Sequence, residues 1–188
     1  MEIWDLYTYN GQKTEYTILR GDKQPEGLFR LVVHVCIFNS KGDMLIQKRQ
    51  FFKKGWPDLW DITVGGSAVS GEDSRTAVAR ELYEELGLQV SFENSRPMLT
   101  IHFDGGFDDI YLIEQDIDLS KIRLQQEEVQ EARWCGEKEI LQMIEEGSFI
   151  PYHKGLIEIL FAMRKHRGAH AEMSSLLPPP HFHDSRKQ

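Results

Sequence analysis

The segment GGSAVSGEDSRTAVARELYEELGL, from Gly65 to Leu88, constrains the fold most, because it carries signals for both ends of one helix. Asp73 or Ser74 supplies a side-chain oxygen suited to capping the helix N-terminus. Gly87 stands where helices commonly end in the left-handed conformation. Between these signals apolar residues recur every four positions, as in a buried helical stripe, namely Val78, Leu82 and Leu86. The sequence therefore predicts an amphipathic helix over Asp73–Leu86 that packs on a larger core.

Three glutamates of this predicted helix lie outside its apolar stripe. Glu81 and Glu84 are three residues apart, and Glu81 and Glu85 are four apart, so neighbouring Cβ atoms should lie about 5–6 Å from one another. Like charges at this spacing repel and raise one another's pKa. A hard divalent cation such as Mg²⁺, which takes carboxylate oxygens, removes that conflict. The pattern predicts a metal site, and a solvated acidic helix face is the alternative interpretation.

The charged residues around the helix follow a known spacing. The segment resembles the signature of the Nudix hydrolase family, GX5EX7REUXEEXGU, in which U is apolar and X is any residue. The matching residues are Gly66, Glu72, Arg80, Glu81, Leu82, Glu84, Glu85, Gly87 and Leu88. Glu72 and Arg80 are also predicted to pair and to fix the glycine loop against the helix. The stretch GDMLIQKRQ and the acidic run before Arg133 are similar to the family as well, so the resemblance extends from about Leu31 to Lys165.

The resemblance implies an α+β fold, an α/β/α sandwich around a mixed β-sheet. The implied reaction is hydrolysis of a pyrophosphate bond in a nucleoside diphosphate linked to a group X, a small-molecule nucleotide-type substrate. Mg²⁺ or Mn²⁺ would act as Lewis acid, lower the pKa of bound water and orient the phosphates. Glu81 and Glu85 would be metal ligands, and Glu84 would be a third ligand or would hold metal-bound water. Glu128 is the first candidate for an extra ligand or general base, ahead of Glu127 and Glu131.

Other residues are candidates for substrate contacts. Gly66 would shape the loop that receives the phosphates. Arg49, with Lys48, precedes an aromatic loop and is predicted to donate charge-assisted hydrogen bonds to phosphate, with a solvated sheet edge as the alternative. His34 is interpreted as a core histidine with one hydrogen bond. Aromatic residues of this region either stack on a base or pack in the core, namely Phe51, Phe52, Trp56 and Trp60.

The sequence leaves two alternative functions open, an isomerase and a nucleotide-binding sensor. The flanking stretches LVVHVCIFNSKGDMLIQKR and KKGWPDLWDITVGG resemble isopentenyl-diphosphate isomerase, a relative with the same fold. When the two sequences are aligned on the Trp60 segment, the catalytic cysteine of the isomerase falls on Gly65 and a metal-binding histidine falls on Ser67. A site without its acid and base groups cannot transfer protons to and from carbon. A non-catalytic nucleotide-binding sensor is the other alternative, and the intact Glu81, Glu84 and Glu85 argue against it.

The rest of the chain divides into three predicted regions. Residues 1–29 are predicted to form a β-hairpin and a loop, with a type I′ turn at Asn10-Gly11, that covers one side of the site or forms a homodimer interface. Residues 30–168 form the main domain, and residues 169–188, which include His181 and His183, form a loosely ordered tail. The predicted main-domain elements are strands over 31–38, 44–48, 60–64, 89–92, 98–103, 110–114 and 130–134, and helices over 73–86, 138–145 and 154–165.

Composition limits the partners. A net charge of −8 argues against non-specific binding to nucleic acid or to an anionic membrane. The chain begins MEIWDLYTYN, which lacks the basic and apolar regions of a signal peptide. Cys36 and Cys135 match no zinc-binding spacing and are predicted to be buried free thiols. No run of 18 apolar residues is present, so no segment is expected to span a membrane, and we expect a cytoplasmic protein.

Overall fold

The computed structural model describes residues 2–164 and 168–170. Its nine strands belong to one sheet. The strands are β1 (Ile3–Tyr7), β2 (Lys13–Leu19), β3 (Phe29–Phe38), β4 (Met44–Arg49), β5 (Trp60–Asp61), β6 (Val64–Ser67), β7 (Leu99–Phe103), β8 (Gly106–Glu114) and β9 (Val129–Cys135). The helices are α1 (Ser74–Leu86), α2 (Glu137–Glu146) and α3 (Lys154–Met163), and a short 3-10 helix spans Leu119–Lys121.

Strand β3 organises the sheet. It pairs antiparallel with β1, β4 and β6, and parallel with β8 over the whole stretch from Arg30 to Phe38. His34 stands opposite Gly65 of β6 on one side and Ile110 of β8 on the other. Parallel and antiparallel neighbours thus share one strand, which confirms the predicted mixed sheet.

The core lies in two layers, one on each face of the sheet. Alternate residues of β3 point to opposite faces, as strand geometry requires. Val33, Val35 and Ile37 pack with the apolar stripe of α1. Cys36 and Phe38 pack with residues of α2 and α3 on the other face. Helices therefore cover both faces, and the predicted α+β sandwich is confirmed.

Two element predictions were wrong in detail. Residues 89–92 form no strand; instead Phe92 is buried and packs edge-on against Tyr111, with ring centroids 5.3 Å apart. The strand predicted over 60–64 is interrupted between β5 and β6. There the Thr63 hydroxyl donates to the carbonyl of Leu45 at 2.5 Å and accepts from the amide of Ile37 at 2.9 Å. A side chain replaces ladder hydrogen bonds at this point because the chain passes from the edge of β4 to that of β3.

The N-terminal hairpin is present, but its turn differs from the prediction. A type I′ turn needs positive φ at both central residues, whereas Gly11 has φ 72° and Asn10 does not lie in that region. The loop is longer, because the amide of Gly11 donates to the carbonyl of Thr8 at 2.9 Å and the amide of Thr8 donates to Gln12 at 2.8 Å. Strand β1 joins the main sheet, because Leu6 pairs with Arg30 of β3. The predicted division between an N-terminal region of residues 1–29 and a main domain that begins at residue 30 therefore stays a prediction.

The remaining predictions concern the thiols, the tail and membrane spans. Cys36 and Cys135 are free and buried, as predicted. Residue 165, predicted to end the last helix, and His181 and His183 lie outside the described residues, as does most of the predicted tail. Within residues 2–164 and 168–170, no helix combines the length and apolar character needed to cross a bilayer.

Candidate active site

One cavity of about 700 Å³ brings together the N-terminal hairpin, the glycine loop before α1, helix α1 and the loop after β4. Among the described residues, the carboxylates that line it are Glu2, Asp61, Glu81, Glu84, Glu85, Asp108 and Glu128. The basic side chains that line it are Arg20, Arg30, Arg49, Lys53 and Arg80. Four predicted acidic site residues therefore share one cavity with both predicted substrate contacts, Arg49 and Gly66.

Helix α1 is built as the sequence predicted. Asp73 is the N-cap, and its Oδ1 accepts from the amide of Thr76 at 2.8 Å. Gly87 ends the helix with φ 69°, and Val78, Leu82 and Leu86 are fully buried. Because the stripe fixes the rotation of the helix, the glutamates outside it face the cavity.

The glycine loop is fixed to α1 by a paired fork of hydrogen bonds. Arg80 Nε donates to Glu72 Oε1 at 2.7 Å, and Arg80 Nη2 donates to Glu72 Oε2 at 2.9 Å. Arg80 Nη2 also reaches the carbonyl of Ser67 at 3.2 Å, while Glu72 accepts from the amide of Val69 at 3.0 Å. The hydrogen bonds to Glu72 raise the pKa of Arg80, so the guanidinium stays charged. The predicted pairing of Glu72 with Arg80 is confirmed.

The three glutamates of α1 differ in environment. Glu85 is 5% exposed and accepts from Gln47 Nε2 at 2.9 Å. Burial raises its pKa well above the usual range, and the charges of Glu81, Glu128 and Asp61 raise it further. Burial also raises the pKa of Glu81, against the lowering effect of Arg80. Glu84 is about half exposed and accepts from Arg80 Nη1 at 3.0 Å.

Two glycines make room for site side chains. A Cβ on Gly66 would lie 2.2 Å from the carboxyl group of Glu81, so a larger residue would displace that carboxylate. A Cβ on Gly65 would lie 2.2 Å from the imidazole of His34. The position that aligns with the isomerase cysteine therefore has no space for a side chain while His34 keeps its place.

The donor set fits a divalent cation in its chemistry. The oxygens come from carboxylates, which hard cations prefer, and Glu85 is a buried carboxylate beside like charges and a neutral amide. The Oε1 atom of the neighbouring Gln47 is buried and has no hydrogen-bond partner. As the side chains stand, Arg80 Nη1 bridges Glu81 and Glu84, and within the described part of the chain no three histidine, cysteine or acidic side chains converge on one point.

Glu128 lies across the cavity from α1. It forms an ion pair with Lys53, and its carbonyl accepts from the amide of Gln50 at 2.9 Å. Glu127 does not line the cavity, and Glu131 lies on β9 opposite Lys48. Of the three acidic candidates in this region, Glu128 alone faces the cavity.

Of the two basic residues predicted to contact phosphate, Arg49 lines the cavity and Lys48 does not. Arg49 lines the cavity, donating to the carbonyl of Gly55 at 3.0 Å and to Asp61 at 3.4 Å. Lys48 forms an ion pair with Asp58 at 2.9 Å and does not line the cavity. Arg49 is therefore the basic residue of this pair that stands within reach of a bound phosphate.

The four aromatic residues predicted to stack on a base or to pack in the core lie in different environments. Trp56 lines the cavity and has a positive φ of 50°. Phe51 and Phe52 are exposed and contact each other edge-on, with ring centroids 5.1 Å apart. Trp60 packs beneath the guanidinium of Arg133, 4.7 Å from its ring centroid. Only Trp56 of this set faces the cavity, so packing explains Trp60.

The sequence did not identify the polar floor of the cavity. His34 has the single hydrogen bond that was predicted, between Nδ1 and Asp108 at 2.7 Å, yet it also lines the cavity. Burial lowers its pKa, but Asp108 raises it, and the net shift is upward. Tyr152, which is half-buried, donates to the buried carboxylate of Asp61 at 2.8 Å. These partners are 74 and 91 residues apart, so no local pattern indicates them.

The N-terminal hairpin covers one side of the site, as predicted. Glu2 and Arg20 line the cavity and pair at 2.7 Å. Asp5 accepts from the Ser70 hydroxyl at 2.8 Å and from the amide of Gly71 at 2.7 Å, which fixes the loop before α1. The alternative role of the hairpin, in a homodimer interface, stays a prediction.

The geometry can be compared with known proteins. A family model described as the NUDIX domain matches residues 28–154. The chain belongs to the NUDIX family. This Nudix chain is 47% identical over 152 residues to a protein of Listeria innocua named an uncharacterized Nudix hydrolase, and the match covers 81% of this chain and 90% of that protein. The prediction that this chain is a Nudix hydrolase is thereby confirmed, and membership of the family implies hydrolysis of nucleoside diphosphate-linked substrates.

Two further comparisons place this Nudix chain among its relatives. It is 28% identical over 128 residues to the isopentenyl-diphosphate Delta-isomerase of Shigella flexneri, covering 63% of this chain and 68% of that protein. A crystal structure of a Deinococcus radiodurans protein superposes with a TM-score of 0.68 at 24% identity, covering 85% of this chain and 97% of that one. The second match shows a shared fold, and the first agrees with the resemblance of the flanking stretches.

Proposed function

We propose that this Nudix chain hydrolyses a pyrophosphate bond in a nucleoside diphosphate linked to a group X, with Mg²⁺ or Mn²⁺ as cofactor. The observation that carries the proposal is the buried carboxylate of Glu85, which faces a cavity it shares with Glu81 and Glu128. A buried carboxylate beside like charges is unfavourable on its own. A bound divalent cation would compensate those charges and attract an anionic substrate into the cavity.

Each acidic residue has a proposed role. Glu81 and Glu85 would hold the cation, and Glu84, which is more exposed, would complete the ligand set or orient the attacking water. The cation would supply Lewis-acid activation of the phosphate and of water. Glu128 lies on the opposite wall and is the proposed general base. Its ion pair with Lys53 would have to open for it to accept a proton.

The basic residues and the glycine loop would position the substrate. Arg49 and Lys53 line the same cavity and would donate charge-assisted hydrogen bonds to phosphate oxygens. Gly66 leaves the backbone of the loop accessible, and the Arg80–Glu72 pair prevents the loop from moving away. Such fixed positioning is a main contribution of a protein to phosphate transfer.

The isomerase alternative is less well supported. The chain is 28% identical to a named isomerase over 128 residues, but Gly65 has no space for the cysteine that the isomerase reaction uses, because His34 fills it. A sensor without catalysis would not need the charge conflict at Glu85. We therefore propose a small-molecule nucleotide substrate, without nucleic acid or membrane as partner, and leave the homodimer as a prediction.

A substrate panel tests the proposed function. The protein is incubated with nucleoside di- and triphosphates, dinucleoside polyphosphates, nucleotide sugars and isopentenyl diphosphate, each with Mg²⁺, with Mn²⁺ and with EDTA. We expect cleavage of a pyrophosphate bond in at least one nucleotide and its loss with EDTA. Isomerisation of isopentenyl diphosphate without any pyrophosphate cleavage would contradict the proposal.

A matched pair of variants tests the role of Glu84. Glu84→Gln should lower kcat by at least about a hundredfold while the fold is retained. Glu158→Gln, an exposed substitution of the same chemistry on α3, should leave kcat unchanged. Full activity of Glu84→Gln would remove Glu84 from the mechanism.

A further inference from the structure

Arg30 lines the cavity, and the proposed reaction does not use its charge. Its guanidinium lies between two aromatic rings, 5.4 Å from the centroid of Trp4 and 5.3 Å from that of Phe103. Its Nη1 donates to the side-chain carbonyl of Gln24 at 3.3 Å, and its Nε is buried without a hydrogen-bond partner. Within residues 2–164 and 168–170, no carboxylate lies within 4 Å of this guanidinium. Its neighbours are thus neutral.

The other arginines of the cavity differ in this respect. Arg20 pairs with Glu2, Arg80 with Glu72, and Arg49 with Asp61. Arg30 has no such partner, and burial lowers its pKa. A partly buried cation without a counter-charge is unfavourable for folding, so its presence in a cavity indicates a bound anion.

The surroundings hold this guanidinium in one place. Gln24 Nε2 donates to the carbonyls of Leu28 and Gly105 at 2.6 and 2.9 Å, which fixes the amide that accepts from Arg30. A Cβ on Gly105 would lie 3.0 Å from Arg30 Nη1, so the turn after β7 leaves just enough space for the side chain. A fixed guanidinium fork loses little freedom when it binds an oxyanion.

The position of Arg30 separates it from the glutamates. Gly66, beside Glu81, pairs with Val33 of β3. Arg30 is three residues earlier on the same strand, so the two Cα atoms lie about 10 Å apart along the sheet, and its guanidinium lies beside Gln24 and Gly105. That separation exceeds the size of one pyrophosphate group. An anion at Arg30 and a pyrophosphate beside Glu81 would therefore belong to different ends of one ligand.

We propose that Arg30 binds a second anionic group of the substrate, a terminal phosphate or a carboxylate. The site consists of the guanidinium of Arg30 held between Trp4 and Phe103, at the end of the cavity next to the N-terminal hairpin. Guanidinium pairs with both kinds of oxyanion through two parallel hydrogen bonds. The inference rests on the proposed function and narrows it to nucleoside diphosphates that carry a further anionic group away from the scissile bond.

Matched nucleotides test this specificity. NAD⁺ is compared with NADP⁺, and 3′-dephospho-CoA with CoA, since each pair differs by one phosphate; a nucleotide sugar is compared with its uronic acid form for the carboxylate. The wild type should prefer the anionic member of at least one pair. Arg30→Met should lower kcat/KM for that member by roughly tenfold to a hundredfold, with little change for the other member. Equal rates for both members of every pair would overturn the inference while leaving the proposed hydrolysis intact.

A binding measurement without metal gives a result even if no nucleotide is cleaved. Protein in EDTA is titrated with inorganic phosphate and with acetate, and tryptophan fluorescence is followed, because Trp4 contacts Arg30. Arg30→Met should weaken binding of at least one anion about tenfold, and Arg30→Lys should restore part of it. The exposed control Arg96→Met should match the wild type. Unchanged binding of both anions in Arg30→Met would refute the site.

Thermal unfolding separates this role from a structural one. Methionine keeps the packing between the two rings and removes the unpaired charge, so the Tm of Arg30→Met should equal or exceed that of the wild type. A clear fall in Tm would mean that Arg30 serves the fold, and the inference would then be wrong.

Discussion

Glu85→Gln is expected to stabilise the metal-free protein at neutral pH. Burial raises the pKa of Glu85 well above its usual range, with further increases from Glu81, Glu128 and Asp61. A carboxyl group whose pKa is raised on folding favours the folded state below its unfolded pKa, and that contribution is lost as the pH rises through the folded pKa. The glutamine side chain of Glu85→Gln does not ionise, so the variant does not lose stability as the pH rises. The variant and the wild type should therefore converge near about pH 4 and differ at neutral pH.

The magnitude follows from the contacts of Glu85. Gln47 donates its Nε2 to this carboxylate, while its own Oε1 is buried without a partner. An introduced amide can accept from Nε2 and donate to Oε1, as the protonated carboxyl group can at low pH but the carboxylate cannot, and satisfying that oxygen removes a cost of about 1–3 kcal/mol. For a chain of this length, a gain of that size raises the Tm by roughly 3 to 9 °C.

The assay is thermal unfolding in EDTA between about pH 4 and pH 8, repeated with Mg²⁺. Glu84→Gln is the matched control, because Glu84 is about half exposed, and its Tm in EDTA should stay close to that of the wild type. Mg²⁺ should stabilise the wild type, by about 2.7 kcal/mol at a hundred times its Kd, and should not stabilise Glu85→Gln. Equal Tm values for wild type and Glu85→Gln at every pH in EDTA would refute the argument.

Three further substitutions have defined outcomes. Gly66→Ala should abolish most hydrolysis in the substrate panel with little change in Tm, because its Cβ would lie 2.2 Å from the Glu81 carboxyl group; retained activity would show that Glu81 can move without loss. Asp73→Ala should lower stability to urea by about 0.5–2 kcal/mol, since it removes the N-cap hydrogen bond to Thr76; an unchanged midpoint would mean that the cap is replaced. Asp5→Asn should lower stability by about 1–2 kcal/mol at neutral pH. Burial raises the pKa of Asp5, but its hydrogen bonds, led by the one from Lys13, lower it by a larger amount, and the net shift is downward. The stability difference between wild type and Asp5→Asn should therefore shrink as the pH falls through that pKa. A difference that stays constant with pH would contradict the prediction.

The predictable parts of the fold are those with local causes. Helix α1 was located within one residue because its cap, its apolar stripe and its terminal glycine all lie within fifteen positions. The pairing of Glu72 with Arg80 was predictable for the same reason, since helix geometry fixes their distance once the loop is short. The prediction of a type I′ turn at Asn10-Gly11 was wrong because hairpin loops of several lengths contain a glycine at positive φ. The loop length is determined by the register of β1 with β2, which the turn residues do not specify.

The site was predictable on one wall only. Glu81, Glu84 and Glu85 share a helix, so their spacing alone places them together. The floor formed by His34 with Asp108, and by Asp61 with Tyr152, depends on the parallel register of β3 with β8 and on the path of the chain into α3. No pattern within one segment contains that information.

The charges of the cavity suggest how metal and substrate cooperate. Arg80 with Glu72, Lys53 with Glu128 and His34 with Asp108 are neutralised within the chain. Among the described residues, Glu85 and Arg30 have no opposite charge within 4 Å, and they lie in different parts of one cavity. A cation alone would relieve Glu85, and an anion alone would relieve Arg30. A cation–nucleotide complex with a distant anionic group would relieve both, so the complex should stabilise the protein more than either component does separately.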